Sequence, residues 1–205
     1  EVLKESLKIH HCIFEMCKSP MGMLLIAASL VMGFAEGVIG TAFRAHIISL
    51  GLNQAWALGL FQASLTVARL TSLWAYKRTG MISKPNAAPF ALISSSVFFS
   101  LYAIAHTAGL AAALWLVRIL LVSAIFPTLK MRATETEYGA KNTASALSAM
   151  TLMTTIGTLI YGAFISTPLG GALSVEDQLH LGTVFHALTG LMFLRHISKR
   201  TLKPA

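Results

Sequence analysis

The sequence predicts an all-α, polytopic membrane protein with six transmembrane helices arranged as a 3+3 inverted repeat. Three observations lead there. The 205 residues are 55% hydrophobic and only 12% charged, with a mean hydropathy of +0.69, whereas about a quarter of a soluble domain is charged. The apolar residues gather in six runs, most of them close to the roughly 20 residues a helix needs to cross about 30 Å of hydrocarbon. Of the 16 Lys and Arg residues, all but Arg44, Arg69 and Arg118 stand at junctions that an even number of crossings places on one side.

Residues 1–20 form a polar, mixed-charge lead, read as a cytoplasmic linker or juxtamembrane helix. It lacks the short apolar core and small-residue cleavage site of a signal peptide. A chain opening on Glu1 rather than Met is expected to be a piece of something longer. Within the lead, His10, His11, Cys12 and Cys17 offer metal-ligand chemistry. Their spacing is not that of a zinc knuckle and no second half follows, so no metal or other cofactor is expected. An amphipathic helix in a reducing compartment accounts for the same residues.

Residues 21–197 hold the runs: Met21 to Phe43, Ala55 to Tyr76, Ala87 to Ala105, Leu110 to Leu129, Ala144 to Thr167 and Leu179 to Leu194. The last is short. At about 1.5 Å per residue it reaches roughly 24 Å, which snorkelling by Arg195 and Lys199 accommodates. Lys4, Lys8 and Lys18 precede the first run; Lys77, Arg78 and Lys84 follow the second; Lys130, Arg132 and Lys141 follow the fourth. Arg195, Lys199, Arg200 and Lys203 close the chain, the last three within a tail at 198–205. The opposite side has an uncharged loop at 106–109 and one bearing only Glu176 and Asp177. Short cytoplasmic loops retain Lys and Arg, so both termini are expected in the cytoplasm and the protein in the cell (inner or plasma) membrane. Basic residues dispersed at helix ends do not form the stripe that nucleic acid requires.

Split near 106–109, the six runs become three plus three, which makes the first and fourth counterparts. Both carry charge at mid-membrane, where ions are costly and face a cavity or a partner. Glu36 lies about ten residues before the outer end of its run and Arg118 about ten residues into its own, each roughly 15 Å below the outer surface. They are expected to pair, or to hold a substrate or proton between them, and a purely structural salt bridge is the other reading. Arg44, eight residues from Glu36 and about 80° around the helix, extends the polar stripe outward.

Gly33 and Gly37 form a small-xxx-small pair expected to pack helices. Gly157 and Gly162, with Thr154, Thr155 and Thr158, suit close packing or a wet wall, packing being favoured. Arg69 sits two turns before Lys77 and can snorkel to the cytoplasmic headgroups. His46, His106 and His180 fall near the outer boundary, while His186 is deep enough to relay protons. Trp56, Trp74 and Tyr76 mark the two ends of the second run, as an interfacial aromatic belt would.

The stretch Leu73-Trp74-Ala75-Tyr76-Lys77-Arg78-Thr79-Gly80 resembles the Gly-x-x-x-Asp-Arg-x-Gly signature of major facilitator superfamily (MFS) transporters. Arg78 and Gly80 match it; Leu73 replaces the Gly and Lys77 the Asp, which puts an Asp-dependent gating salt bridge in doubt. Val117-Arg118-Ile119 with Pro127, and the acidic-basic loop from Glu135 to Lys141, are similar to that family's fourth-helix pattern. The resemblance implies the carboxyl-terminal half, helices seven to twelve. It also implies secondary active transport of a small solute by alternating access, by symport or antiport. The helices of Glu36, Arg44 and Arg118 would line the cavity, and the cytoplasmic gating-loop motif would comprise Lys77, Arg78 and Gly80.

Glu36, the one acidic residue within a run, is the candidate proton carrier. The implied partners are a small-molecule substrate, the lipid bilayer and an amino-terminal six-helix half. No Gly-x-x-x-x-Gly-Lys loop is present, and no enzyme is expected. The alternative is a self-contained six-helix protein, a scaffold, assembly factor or channel. A water channel's Asn-Pro-Ala pair is lacking, since Asn86-Ala87-Ala88 is the nearest sequence, and Ser94 to Ser96 lack the Gly-x-Ser-Gly frame of an intramembrane protease.

Overall fold

A computed structural model describes residues 2–81, 84, 86–123, 125–134 and 136–201. Among these the fold is all-α, with no strand. Helix α1 spans Val2–Cys17 and α2 Pro20–Val38; a π-helical turn, Ile39–Phe43, joins α2 to α3, Arg44–Ser49. Then follow α4 (Ala55–Arg78), α5 (Ala87–Ala103), α6 (Ala108–Val122), α7 (Ile125–Thr134), α8 (Glu137–Lys141), α9 (Thr143–Ile165), α10 (Pro168–Gly171) and α11 (Val175–Thr201).

The ends are written locally. The Ser19 hydroxyl accepts from Gly22 N–H with Pro20 in the first turn, and Thr107 and Thr167 cap α6 and α10 in the same way. Gly51 and Gly80, at φ +98° and +65°, take the left-handed turns that stop α3 and α4. Ser174 and Asp177 bond reciprocally, side chain to backbone N–H, and start α11 ahead of its apolar run. Glu176 and Asp177 therefore belong to the first turn of a helix rather than to a loop. The Ser174 hydroxyl, 2.6 Å away, holds the Asp177 carboxyl below its usual pKa.

Among the described residues, three helices are long and apolar enough to cross a membrane: Pro20–Ser49, Ala108–Ala133 and Thr143–Ile165. The first does not stop at Phe43 but runs 30 residues, because the π turn carries it past Arg44 to Gly51. Helix α5 is apolar but only 17 residues long. Helices α4 and α11 are long, yet Gln62 and Arg69 in one and the charged ends of the other dilute their apolar character. Helix α11 enters the expected tail as far as Thr201, and residues 202–205 lie outside the described residues, as does Glu135.

Helix α2 packs on α9 and α11, α5 on α6 and α11, and α4 on α6, while α1 lies against α2 and α9. The α2–α9 contact is backbone to backbone. A methyl group on Gly33 would overlap the Thr154 carbonyl, one on Gly157 the Leu30 carbonyl, and one on Gly37 the Tyr161 ring. Thr158 also donates to the Gly33 carbonyl at 2.9 Å. Nothing lies within 4 Å of the same position on Gly162.

Two apolar clusters form the core. One joins Cys12 and Met16 of α1 to Leu25, Leu92, Leu129 and Phe193; the other gathers Phe43, Phe61, Phe99, Tyr102, Trp115 and Tyr161. Along α2, α5 and α11, the stretches between the clusters include Glu36, Ser95 and Ser96, and His186. These polar residues lie in the layer between the two clusters.

Candidate functional site

That layer opens into a cavity of about 250 Å³ to which four helices contribute polar groups: Glu36 from α2, Arg69 from α4, Arg118 from α6 and His186 from α11. Ser123, just past α6, joins them. Trp115, Ile119 and Met32 supply apolar wall.

Arg118 is 2% exposed. Its guanidinium carbon lies 4.5 Å from the Trp115 ring centre and 4.7 Å from that of Phe99, contacts that stabilise a cation through the ring quadrupole. Its Nη2 is 3.2 Å from His186 Nε2. The Nδ1 of His186 sits 2.9 Å from the Gly182 carbonyl. A carbonyl only accepts, so Nδ1 carries the hydrogen and Nε2 offers its lone pair to Arg118. The arginine Nε is buried without a partner.

The expected direct pair is not formed. Glu36 and Arg118 share the cavity, but no carboxylate lies within 4.0 Å of the guanidinium among the described residues. His186 takes the position next to Arg118 while the Glu36 side chain stays exposed. Glu36 also borders an open groove of about 430 Å³ with Thr154, Thr155, Thr158 and Leu159. It stands on a ridge between the two hollows.

Arg44 is placed elsewhere. It lines a separate hollow of about 300 Å³ with Phe43, Ile47, Leu58, Phe61 and Gln62. The 80° estimate assumed a regular α-helix, and the π turn between Glu36 and Arg44 resets the phase. Arg69 is exposed and lines the cavity.

Lys77, Arg78 and Gly80 stand together at the carboxyl end of α4, away from the cavity. Arg78 lies over the Trp74 ring at 5.0 Å, Lys77 is exposed, and Gly80 makes the helix-ending turn. His46, expected to be wet, is buried with Nε2 3.0 Å from the Tyr102 carbonyl, because the helix continues past the π turn and carries it into the bundle. His106 and His180 are exposed.

In the lead, Cys12 is buried against the bundle while Cys17, His10 and His11 are exposed. No cluster of three or more His, Cys, Asp or Glu suited to a metal occurs among the described residues. Glu15 meets Lys18 at 2.6 Å, a bond that holds its pKa below the usual carboxylate value.

His186 as the partner of Arg118 had a signal in the sequence. Arg118 and His186 lie at similar depths, each a little under ten residues into a run that enters from the outer side. The depth comparison that joined Glu36 to Arg118 joins all three. The chain matches no protein-family model, no curated protein and no solved structure.

Proposed function

We propose that the chain is one six-helix half of a secondary active transporter resembling the major facilitator superfamily, carrying a small solute by alternating access across a cell membrane. Glu36 serves as the proton-coupling carboxylate, and Arg118 and Arg69 as solute contacts. The observation that carries this reading is the convergence of Glu36, Arg69, Arg118 and His186 from four helices on one cavity inside an apolar bundle. Intramembrane charge of this kind marks solute and proton paths.

The most extensive helix packing is consistent with a 3+3 repeat. With α2, α4, α5, α6, α9 and α11 numbered one to six, the most extensively packed pairs are one–five, two–four, three–six, three–four and one–six. Exchanging one with four, two with five and three with six returns these five pairs, as a two-fold repeat would, while the contact of α7, which continues the fourth run, with α9 has no counterpart. In the same reading the second half of the cavity wall comes from an amino-terminal six-helix partner, and Arg44 sits in an outer vestibule.

The test is flux in proteoliposomes holding the full-length protein and an entrapped pH dye, challenged with small anions, zwitterions and cations. At least one solute is expected to drive a saturable flux that Glu36→Gln uncouples from protons. No flux with any solute, or flux unchanged in both Glu36→Gln and Arg118→Gln, contradicts the proposal.

A second reading rests on the His186 bond and the two ring contacts of Arg118, which can equally lock α5, α6 and α11 together in a membrane scaffold. A stable, flux-silent protein would favour it.

A further inference from the structure

We propose, building on the transport reading, that the solute is a small organic anion of the monocarboxylate class, whose carboxylate supplies the contacting partner that Arg118 lacks.

A buried guanidinium needs partners for both its charge and its donors. It carries five N–H donors, and a buried cation is costly unless it is both paired and hydrogen-bonded. Here one nitrogen, Nη2, meets a lone pair of His186, Nε has no partner, and no carboxylate among the described residues is within 4.0 Å. The Trp115 and Phe99 rings attract the charge but take up none of its N–H donors. The Nε donor remains unmet, and a carboxylate is the group that engages a guanidinium edge through two parallel bonds. The His186 tautomer contributes by orientation. With Nδ1 tied to Gly182, the ring turns a lone pair to Arg118 and fixes the guanidinium at the cavity.

Charge around the cavity agrees. Facing Glu36 are Arg69 from α4, Arg118 from α6 and His186 from α11; α9 presents Thr154, Thr155, Thr158 and Leu159 beside it, with Tyr161 against neighbouring Gly37, and α5 adds no charged group. Two cations meet one carboxylate, a surplus of one positive charge that becomes two when Glu36 takes up a proton. Proton and anion therefore favour each other's binding, and by linkage each raises the other's affinity by the same factor. The volume of about 250 Å³ falls near the lower end of small-molecule sites, roughly 300–1,000 Å³, and the wall offered by Met32, Ile39 and Ile119 suits a short apolar body behind the carboxylate.

The experiment is calorimetric titration of the purified full-length protein with sodium butyrate, using butyramide and sodium chloride at matched concentration. Butyrate is expected to bind saturably and more tightly as pH falls. Butyramide, of the same shape without charge, and chloride, a charge without the edge-on geometry, are expected not to. Arg118→Gln should weaken butyrate about tenfold or more, as losing one partner of a buried charged pair does. Glu36→Gln should tighten it and flatten its pH dependence, a gain of function that an unfolded variant cannot mimic. Equal binding of butyramide, binding of chloride as strong as butyrate, or an unchanged butyrate affinity in Glu36→Gln overturns the proposal. Butyrate binding without solute flux removes the transport reading and leaves the anion site. Flux of another solute that butyrate neither drives nor competes removes the anion site and leaves transport.

Discussion

The two helix pairs that exchange under the proposed repeat, α2–α9 and α4–α6, are held by different means. Helices α2 and α9 meet through glycine, with Gly33 and Gly157 facing backbone carbonyls and Tyr161 covering Gly37. Helices α4 and α6 meet through side-chain bonds: Ser72 donates to the Leu120 carbonyl and the Tyr76 hydroxyl to that of Leu121, and α4 buries only Phe61, Leu65 and Ser72. Related positions in the proposed repeat thus divide into a tight seam and a lightly attached arm. The arm carries Arg69 and the seam carries Glu36, so one wall of the cavity is closely packed and the other lightly held.

The largest effect should come from forcing the seam. Gly157→Leu drives a side chain into the Leu30 carbonyl and is expected to lower stability by about 3 kcal/mol, whereas Gly162→Leu on the same helix stays within about 0.5 kcal/mol. Thermal unfolding in detergent reads both, and equal losses would erase the distinction between the two faces of α9. His186→Ala removes the acceptor from a buried guanidinium and should cost about 2 kcal/mol, against almost nothing for Arg69→Gln on the exposed arm.

Ser72→Ala loosens the arm by about 1 kcal/mol, visible as faster hydrogen exchange in α4 with α9 unaffected. The smallest effect lies outside both pairs. The depressed pKa of Asp177 means that its bond to Ser174 adds stability above the ordinary aspartate range and loses it as pH falls through the folded value. Ser174→Ala should move the Asp177 titration upward in NMR.

The helices were legible because the apolar runs are long and separated by polar junctions; Ser19-Pro20, Thr107, Gly51 and Gly80 mark some of their ends. Glu36 and Arg118 were legible as neighbours because depth along a helix is arithmetic. The π turn was not, since it depends on tertiary partners: the Thr41 hydroxyl reaches the Gly37 carbonyl in its own helix and the Tyr161 hydroxyl on α9, 120 residues away. Arg44 was misplaced for that reason, and His46 with it. The choice of His186 over Glu36 beside Arg118 was also hidden, because depth says which groups share a level and not which two touch. The polar content of α4 and α11 blurs their identity as spans for the same reason that it makes them useful, Arg69 and His186 being cavity residues.

The central claim is that the Glu36 ridge and its threonine groove face water inside a membrane-embedded bundle. Thr155, in that groove, and Leu188, 49% exposed on α11, present open side chains of opposite character. In a Cys17→Ser background, Thr155→Cys and Leu188→Cys can each be treated with a membrane-impermeant thiol reagent in intact proteoliposomes. Rapid modification at 155 with protection at 188 is the expected result; equal modification of both, or protection of both, would contradict it.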